Sequence, residues 1–157
     1  MIRDLFLMTV FLAACNGGTV DDTTTACNEA NEECTASTCG GDGSSMLPGA
    51  NCLACHSDDV SSEAPTFGAG GTVFADADGA APVSGAIIRI TDADGQVVEL
   101  TSNAVGNFYT RTDLAMPISA EVELNGNVMA MYTTPSTAAC STCHSCGGSA
   151  GGKLFAQ

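Results

Sequence analysis

Residues 52–56 and 140–144 both read Cys-x-x-Cys-His, as Cys52-Leu53-Ala54-Cys55-His56 and Cys140-Ser141-Thr142-Cys143-His144. Between them they hold the only 2 histidines of a 157-residue chain. The order of groups is a chemical constraint. Two thiols on one turn can add across the two vinyl groups of a porphyrin edge, and the residue that follows carries an imidazole under the ring to the iron. The pattern predicts two covalently attached haem c groups, one held by Cys52, Cys55 and His56 and the other by Cys140, Cys143 and His144. A zinc ion held by four thiolates accounts for both cysteine pairs but leaves both histidines without a role. A thioredoxin-like redox motif requires a βαβ pattern, which surrounds neither pair.

If His56 and His144 are proximal ligands, neither iron can take a second His from its own chain. Met46 lies six residues before Cys52, and Pro48-Gly49 between them can form a turn that brings a thioether over the ring. Met131 lies nine residues before Cys140, at the end of the last predicted strand. Met46 and Met131 are therefore the candidate sixth ligands, with core packing as the competing role for each. An axial Met raises the haem potential, which suits an electron carrier. An iron left five-coordinate would suit a peroxidase or a gas sensor instead.

The start of the chain predicts export. Arg3 supplies a positive charge and Leu5 to Leu12 an apolar run too short to span a bilayer, so residues 1–14 read as a lipoprotein signal peptide. Leu12-Ala13-Ala14-Cys15 resembles a lipobox, which implies lipidation of Cys15. By the same resemblance, Asn16 after the cysteine favours the outer membrane, facing the periplasm or the cell surface. Residues 15–45 are polar and acidic with few large apolar side chains, and are predicted to be a flexible tether. The tether contains Cys27, Cys34 and Cys39, which with Cys146 make four cysteines outside the lipidation and haem positions. An exported chain can oxidise them, and three pairings are open.

Residues 46–157 form the predicted domain, with a β core over 70–133. The expected strands are 71–75, 86–91, 97–101, 107–111, 118–124 and 128–133. Asp94-Gly95 and Asn125-Gly126 separate pairs of these runs and are tight-hairpin dipeptides, because Gly and Asn tolerate positive φ. In Ala120-Glu121-Val122-Glu123-Leu124 the apolar residues share one face, and a two-residue loop at Asn125-Gly126 places Asn127, Met129 and Met131 across from them, facing inward. The motifs bracket this region, so they are expected one near each end of a sandwich that sets their spacing. With 6 Phe, 2 Tyr, no Trp and 18 Gly, the core is thin and depends on covalent staples.

Gly71-Thr72-Val73, Pro82-Val83-x-Gly85-Ala86-x-Ile88, and Thr101 followed by Gly106-x-Phe108 resemble the carboxypeptidase regulatory-like, transthyretin-like β-sandwich family. The resemblance implies a mainly β fold, a small antiparallel sandwich flanked by two haem-attachment loops, acting as a scaffold without catalytic residues. The wider arrangement over 46–154, ending in Gly152-Lys153-Leu154, is similar to a group of small bacterial lipoproteins with such domains. That likeness implies Met46 and Met131 together as ligands.

Lys plus Arg number 4 against 18 Asp plus Glu, a formal charge of -14, so nucleic acid and anionic lipid surfaces are repelled. Asp76-Ala77-Asp78-Gly79 and Asp92-Ala93-Asp94-Gly95 begin like calcium loops but lack the closing bidentate Glu, and are expected to be turns. No Ser-His-Asp set, phosphate loop or carboxylate pair stands out. The expectation is an electron-transfer protein, not an enzyme, anchored through Cys15 and serving redox protein partners. A further possibility open to the sequence is an end-to-end homo-oligomer that brings the haems of neighbours together. The rival classes are the haem peroxidase or sensor, and a surface binding lipoprotein stapled by zinc or disulfides.

Overall fold

A computed structural model describes residues 46–58 and 64–157. The signal peptide, Cys15, the tether and Cys27, Cys34 and Cys39 lie outside the described residues. Six strands form the frame: β1 (Ala69–Thr72), β2 (Ile87–Thr91), β3 (Val97–Thr101), β4 (Asn107–Thr110), β5 (Ser119–Leu124) and β6 (Asn127–Ala130). β1 pairs with β4 in a two-stranded antiparallel sheet, and the other four pair in the order β3-β2-β5-β6, also antiparallel. The protein is mainly β, as the alternating pattern predicts. Among the described residues the only α-helix is the single turn α1 (Cys140–Cys143), and no helix there is long and apolar enough to cross a membrane.

Period-two alternation decides which side chains enter the core. On β2, Ile88 and Ile90 are buried while Ile87, Arg89 and Thr91 are only partly covered. Val122 on β5 and Phe108 on β4 meet them in one cluster with Ala69, Val73 and Ile118, so both sheets share a single sandwich-like core. On the outer face Arg89 bridges three strands, bonding Glu99 at 2.9 Å, Glu121 at 3.2 Å and Glu123 at 2.7 Å.

The β5–β6 hairpin has the predicted register, with Leu124 opposite Asn127 and Val122 opposite Met129. Asn125 (φ 53°) and Gly126 (φ 84°) both take the left-handed conformation that a two-residue primed turn requires. The inward direction of that face does not hold at β6. It is an edge strand exposed along its length, with Met129 38% exposed, because among the described residues no further layer covers that face. The Asp94-Gly95 hairpin also differs from a two-residue loop. Asp92 N–H donates to Gln96 O at 3.0 Å, enclosing three residues with Gly95 at φ 82°. The Asp92 carboxylate drives this, accepting from the N–H groups of Asp94, Gln96 and Ala115 at 3.0, 2.8 and 3.1 Å. Burial raises the Asp92 pKa, but these backbone donors outweigh it and hold it below the usual carboxylate range. Asp76 likewise accepts from Ala80 N–H at 3.0 Å. Both Asp-x-Asp-Gly segments are turns, as expected.

β1 is unlike the other strands in being buried at every position. Residues 50–52 and 138–140, which lead into the two cysteine motifs, account for much of that cover.

Candidate haem-attachment sites

The first motif enters through a turn. Ala50 N–H donates to Leu47 O at 3.1 Å around Pro48-Gly49, and Gly49 has φ 90°, a conformation open to glycine. A relay fixes this turn to the sheet: Asn107 on β4 donates to the Met46 carbonyl, Thr72 Oγ1 donates to Asn107 Oδ1 at 2.7 Å, and Gly49 N–H donates to Thr72 Oγ1 at 2.9 Å. The chain then winds through a 3-10 turn at Cys52–Ala54, and His56 N–H donates to Cys52 O at 2.9 Å. In the second motif α1 gives the same closure, with His144 N–H donating to Cys140 O at 2.9 Å. Both pentapeptides therefore make one helical turn that puts two cysteines and the histidine around a common axis.

The two motifs are not at opposite ends of the fold. They sit together against β1, a correction to the expectation that the sandwich separates them. Ser141 Oγ donates to Ala50 O at 3.1 Å, and Asn51 Nδ2 to Thr142 Oγ1 at 3.4 Å. Gly70 N–H receives the second motif's approach, donating to Ala138 O at 3.3 Å. The reason is the absence of side chains at Gly70 and Gly71 of β1. A Cβ on Gly70 would lie 3.0 Å from Cys52 Cβ, and one on Gly71 would lie 2.9 Å from Cys140 Cβ and from the Phe108 ring. Consecutive glycines inside a strand pattern mark a close approach, and this signal was present in the sequence.

The histidines are held in different ways. His56 Nδ1 is 2.8 Å from Pro65 O, and since a carbonyl can only accept, Nδ1 carries a proton, which in the neutral imidazole leaves the lone pair on Nε2. The His56 ring stacks on Phe67 (4.1 Å between centroids, 11° between planes), and Phe67 stacks on Tyr109 (4.4 Å, 13°). His144 is held by burial, which lowers its pKa below the usual imidazole value, opposed by a hydrogen bond to the Gly152 backbone. Each imidazole thus has one nitrogen engaged with the backbone, the arrangement that orients a ligating histidine.

The thiols are also placed unequally. Cys52, Cys55 and Cys140 are outside any disulfide and are half-buried. Burial, and after it the neighbouring Cys52, push the Cys140 thiol up to about 12. Burial also raises the Cys52 thiol, against a smaller lowering from its own backbone. Cys146 is disulfide-bonded, and so is Cys143. The disulfide at Cys143 departs from the assignment of Cys143 to a haem. Cys143 belongs to two overlapping Cys-x-x-Cys spacings, 140/143 and 143/146, so the sequence already offered its thiol a competing partner.

The donor chemistry can be tested against the group the motifs imply. A thioether is uncharged, so the buried, high-pKa sulfurs of Cys52 and Cys140 suit it, whereas thiolate ligation would require a charge where burial opposes one. Motif one, with two cysteines outside any disulfide and an imidazole anchored through Nδ1, fits a c-type haem. Motif two fits once the Cys143 disulfide is opened. Four thiolates for one zinc are not available while Cys143 is oxidised. Among the described residues no three His, Cys, Asp or Glu side chains are grouped to hold a metal ion.

Met46 is half-buried at the start of the turn that carries motif one. Met131 immediately follows β6, its N–H donating to Ala120 O at 2.9 Å, beside the sheet that does not carry the motifs. The residues that sequence reasoning missed are Phe67 and Tyr109, single aromatics with no periodic signal. Comparisons of the chain with protein-family models, with curated proteins and with solved structures found no match.

Proposed function

We propose that the chain is a membrane-anchored di-haem c-type cytochrome that transfers electrons between redox proteins. The observation that carries this reading is the pair of Cys-x-x-Cys-His turns, each closed by a His N–H to first-Cys carbonyl bond, packed side by side on Gly70-Gly71. Haem, when bound, supplies a one-electron iron couple. The chain's own residues bind, orient and space: Cys52, Cys55, Cys140 and Cys143 give the thioether sulfurs, and His56 and His144 the proximal nitrogens. Met46 and Met131 are the proposed sixth ligands, and Cys15 the lipid anchor of an exported protein. Adjacent motifs within one chain favour electron exchange inside the molecule, without the end-to-end assembly that separated motifs would need.

The Cys143 disulfide favours a second reading, in which motif two is a covalent staple and only motif one is loaded. The test is haem staining on a denaturing gel with iron stoichiometry, using full-length protein from a host with haem-attachment machinery. Two irons per chain, falling to one in Cys52→Ala/Cys55→Ala and in Cys140→Ala/Cys143→Ala, is the expected result. One iron, lost only in the first variant, supports the staple reading. A colourless, iron-free product overturns both.

A further inference from the structure

We propose that Phe67, backed by Tyr109, is a positioning residue that fixes the plane of the His56 imidazole, a role that rests on His56 being an iron ligand. The terminal torsion of a histidine is broad and nearly two-fold, so a single hydrogen bond anchors one ring atom and leaves the ring free to tilt. His56 has such a bond, at Nδ1 to Pro65 O, and it lies on the exposed side of the molecule.

The stack removes the remaining freedom. A face-to-face partner at 4.1 Å and 11° covers the ring's face and leaves open its edge, where Nε2 lies. Phe67 is held in turn by Tyr109 at 4.4 Å and 13°. The backbone ties the same three elements together, since Phe67 N–H donates to His56 O at 2.9 Å and Gly68 N–H to Thr110 O at 2.8 Å. Core packing does not account for these rings. Tyr109 projects outward from β4 and is 40% exposed, and Phe67 lies outside the buried cluster that contains Phe108. What the two rings cover is the imidazole.

The test uses the full-length chain in two forms. In protein made without haem attachment, the carbon-bound ring protons of His56 are expected upfield by ring current. Phe67→Leu should move them to the position of a free imidazole, and Phe67→Trp should restore them. In matured protein, Phe67→Leu should broaden the ferric electron-paramagnetic signal of that centre into a spread of ligand orientations, again restored by Phe67→Trp. Tyr109→Leu, at an exposed position, should shift both readouts less and in the same direction, and serves if Phe67→Leu does not fold. Unchanged His56 ring shifts in both leucine variants overturn the proposal, as does an unchanged ferric signal in a variant that has lost the ring shift. A colourless matured product with the ring shifts behaving as expected would instead defeat the di-haem reading, leaving Phe67 and Tyr109 as the clamp of a non-ligating histidine, which also overturns the positioning role.

Discussion

The two Cys-x-x-Cys-His turns share the hydrogen bond that closes them and differ in what packs around them. Residues 52–56 keep both cysteines out of disulfides and hold their histidine with a carbonyl and an aromatic stack. In residues 140–144 desolvation lowers the histidine pKa and raises that of the first thiol, and the second cysteine is in a disulfide. The turn is a property of five residues, whereas accessibility, protonation and redox state belong to what packs on it. Equal motifs are therefore expected to behave unequally.

The largest expected difference is in thiol chemistry. With the Cys140 thiol pushed up to about 12 from an ordinary value of 9.0, its thiolate population near neutral pH falls by a factor on the order of 10³. Alkylation followed by mass mapping on the folded, haem-free chain should label Cys140 on the order of a hundredfold or more slowly than in the same chain unfolded. Equal rates in the two states would erase the burial half of the contrast.

Phe108 tests the floor beneath motif two. The side chain is 2% exposed, and its ring lies beside Gly71 and Cys140. Phe108→Ala should cost about 3–5 kcal/mol in denaturant unfolding. A smaller version is available on β1 itself. Gly70→Ala pushes toward Cys52 and Gly71→Ala toward Cys140, and each should destabilise by about 1–3 kcal/mol through overpacking. In matured protein each glycine variant should disturb the spectrum of a different haem, and identical spectra would show that the two glycines do not separate the sites.

The smallest effect is in pH dependence. A histidine whose folded pKa is lowered binds fewer protons in the folded state than in the unfolded state, so stability rises with pH between the two values. For His144 that window begins near the ordinary value of 6.5 and extends downward. Unfolding free energy of the haem-free chain should fall with acidification below pH 6.5, by at most about 1.4 kcal/mol per pH unit from this residue. His144→Gln should flatten that portion of the profile, and an unaltered slope would place the buried-imidazole contrast in doubt.

Much of the local structure was legible in the sequence because its causes are local. Asn125-Gly126 specified the β5–β6 turn, and the alternation of Glu121 and Glu123 with Val122 specified the register that followed. The inward placement of Met129 failed because alternation tells which residues share a face and not whether another layer covers that face. Asp94-Gly95 marked a turn but not its length, since Asp92 recruits donors as far away as Ala115. The adjacency of the motifs was signalled only by Gly70-Gly71, and the sequence gives no hint of which segments those glycines admit.

The chain's own order of residues determined the two helical cysteine–histidine turns, the alternating strands and the hairpin reversals, each the product of neighbouring φ/ψ preferences and short-range hydrogen bonds. The tertiary structure alone decided that residues nearly ninety positions apart share one strand as their support, that Phe67 and Tyr109 lie in line with His56, and that Cys140 and His144 are the more buried partners. Those outcomes depend on how two sheets close over a common core, which brings together groups that no local preference connects.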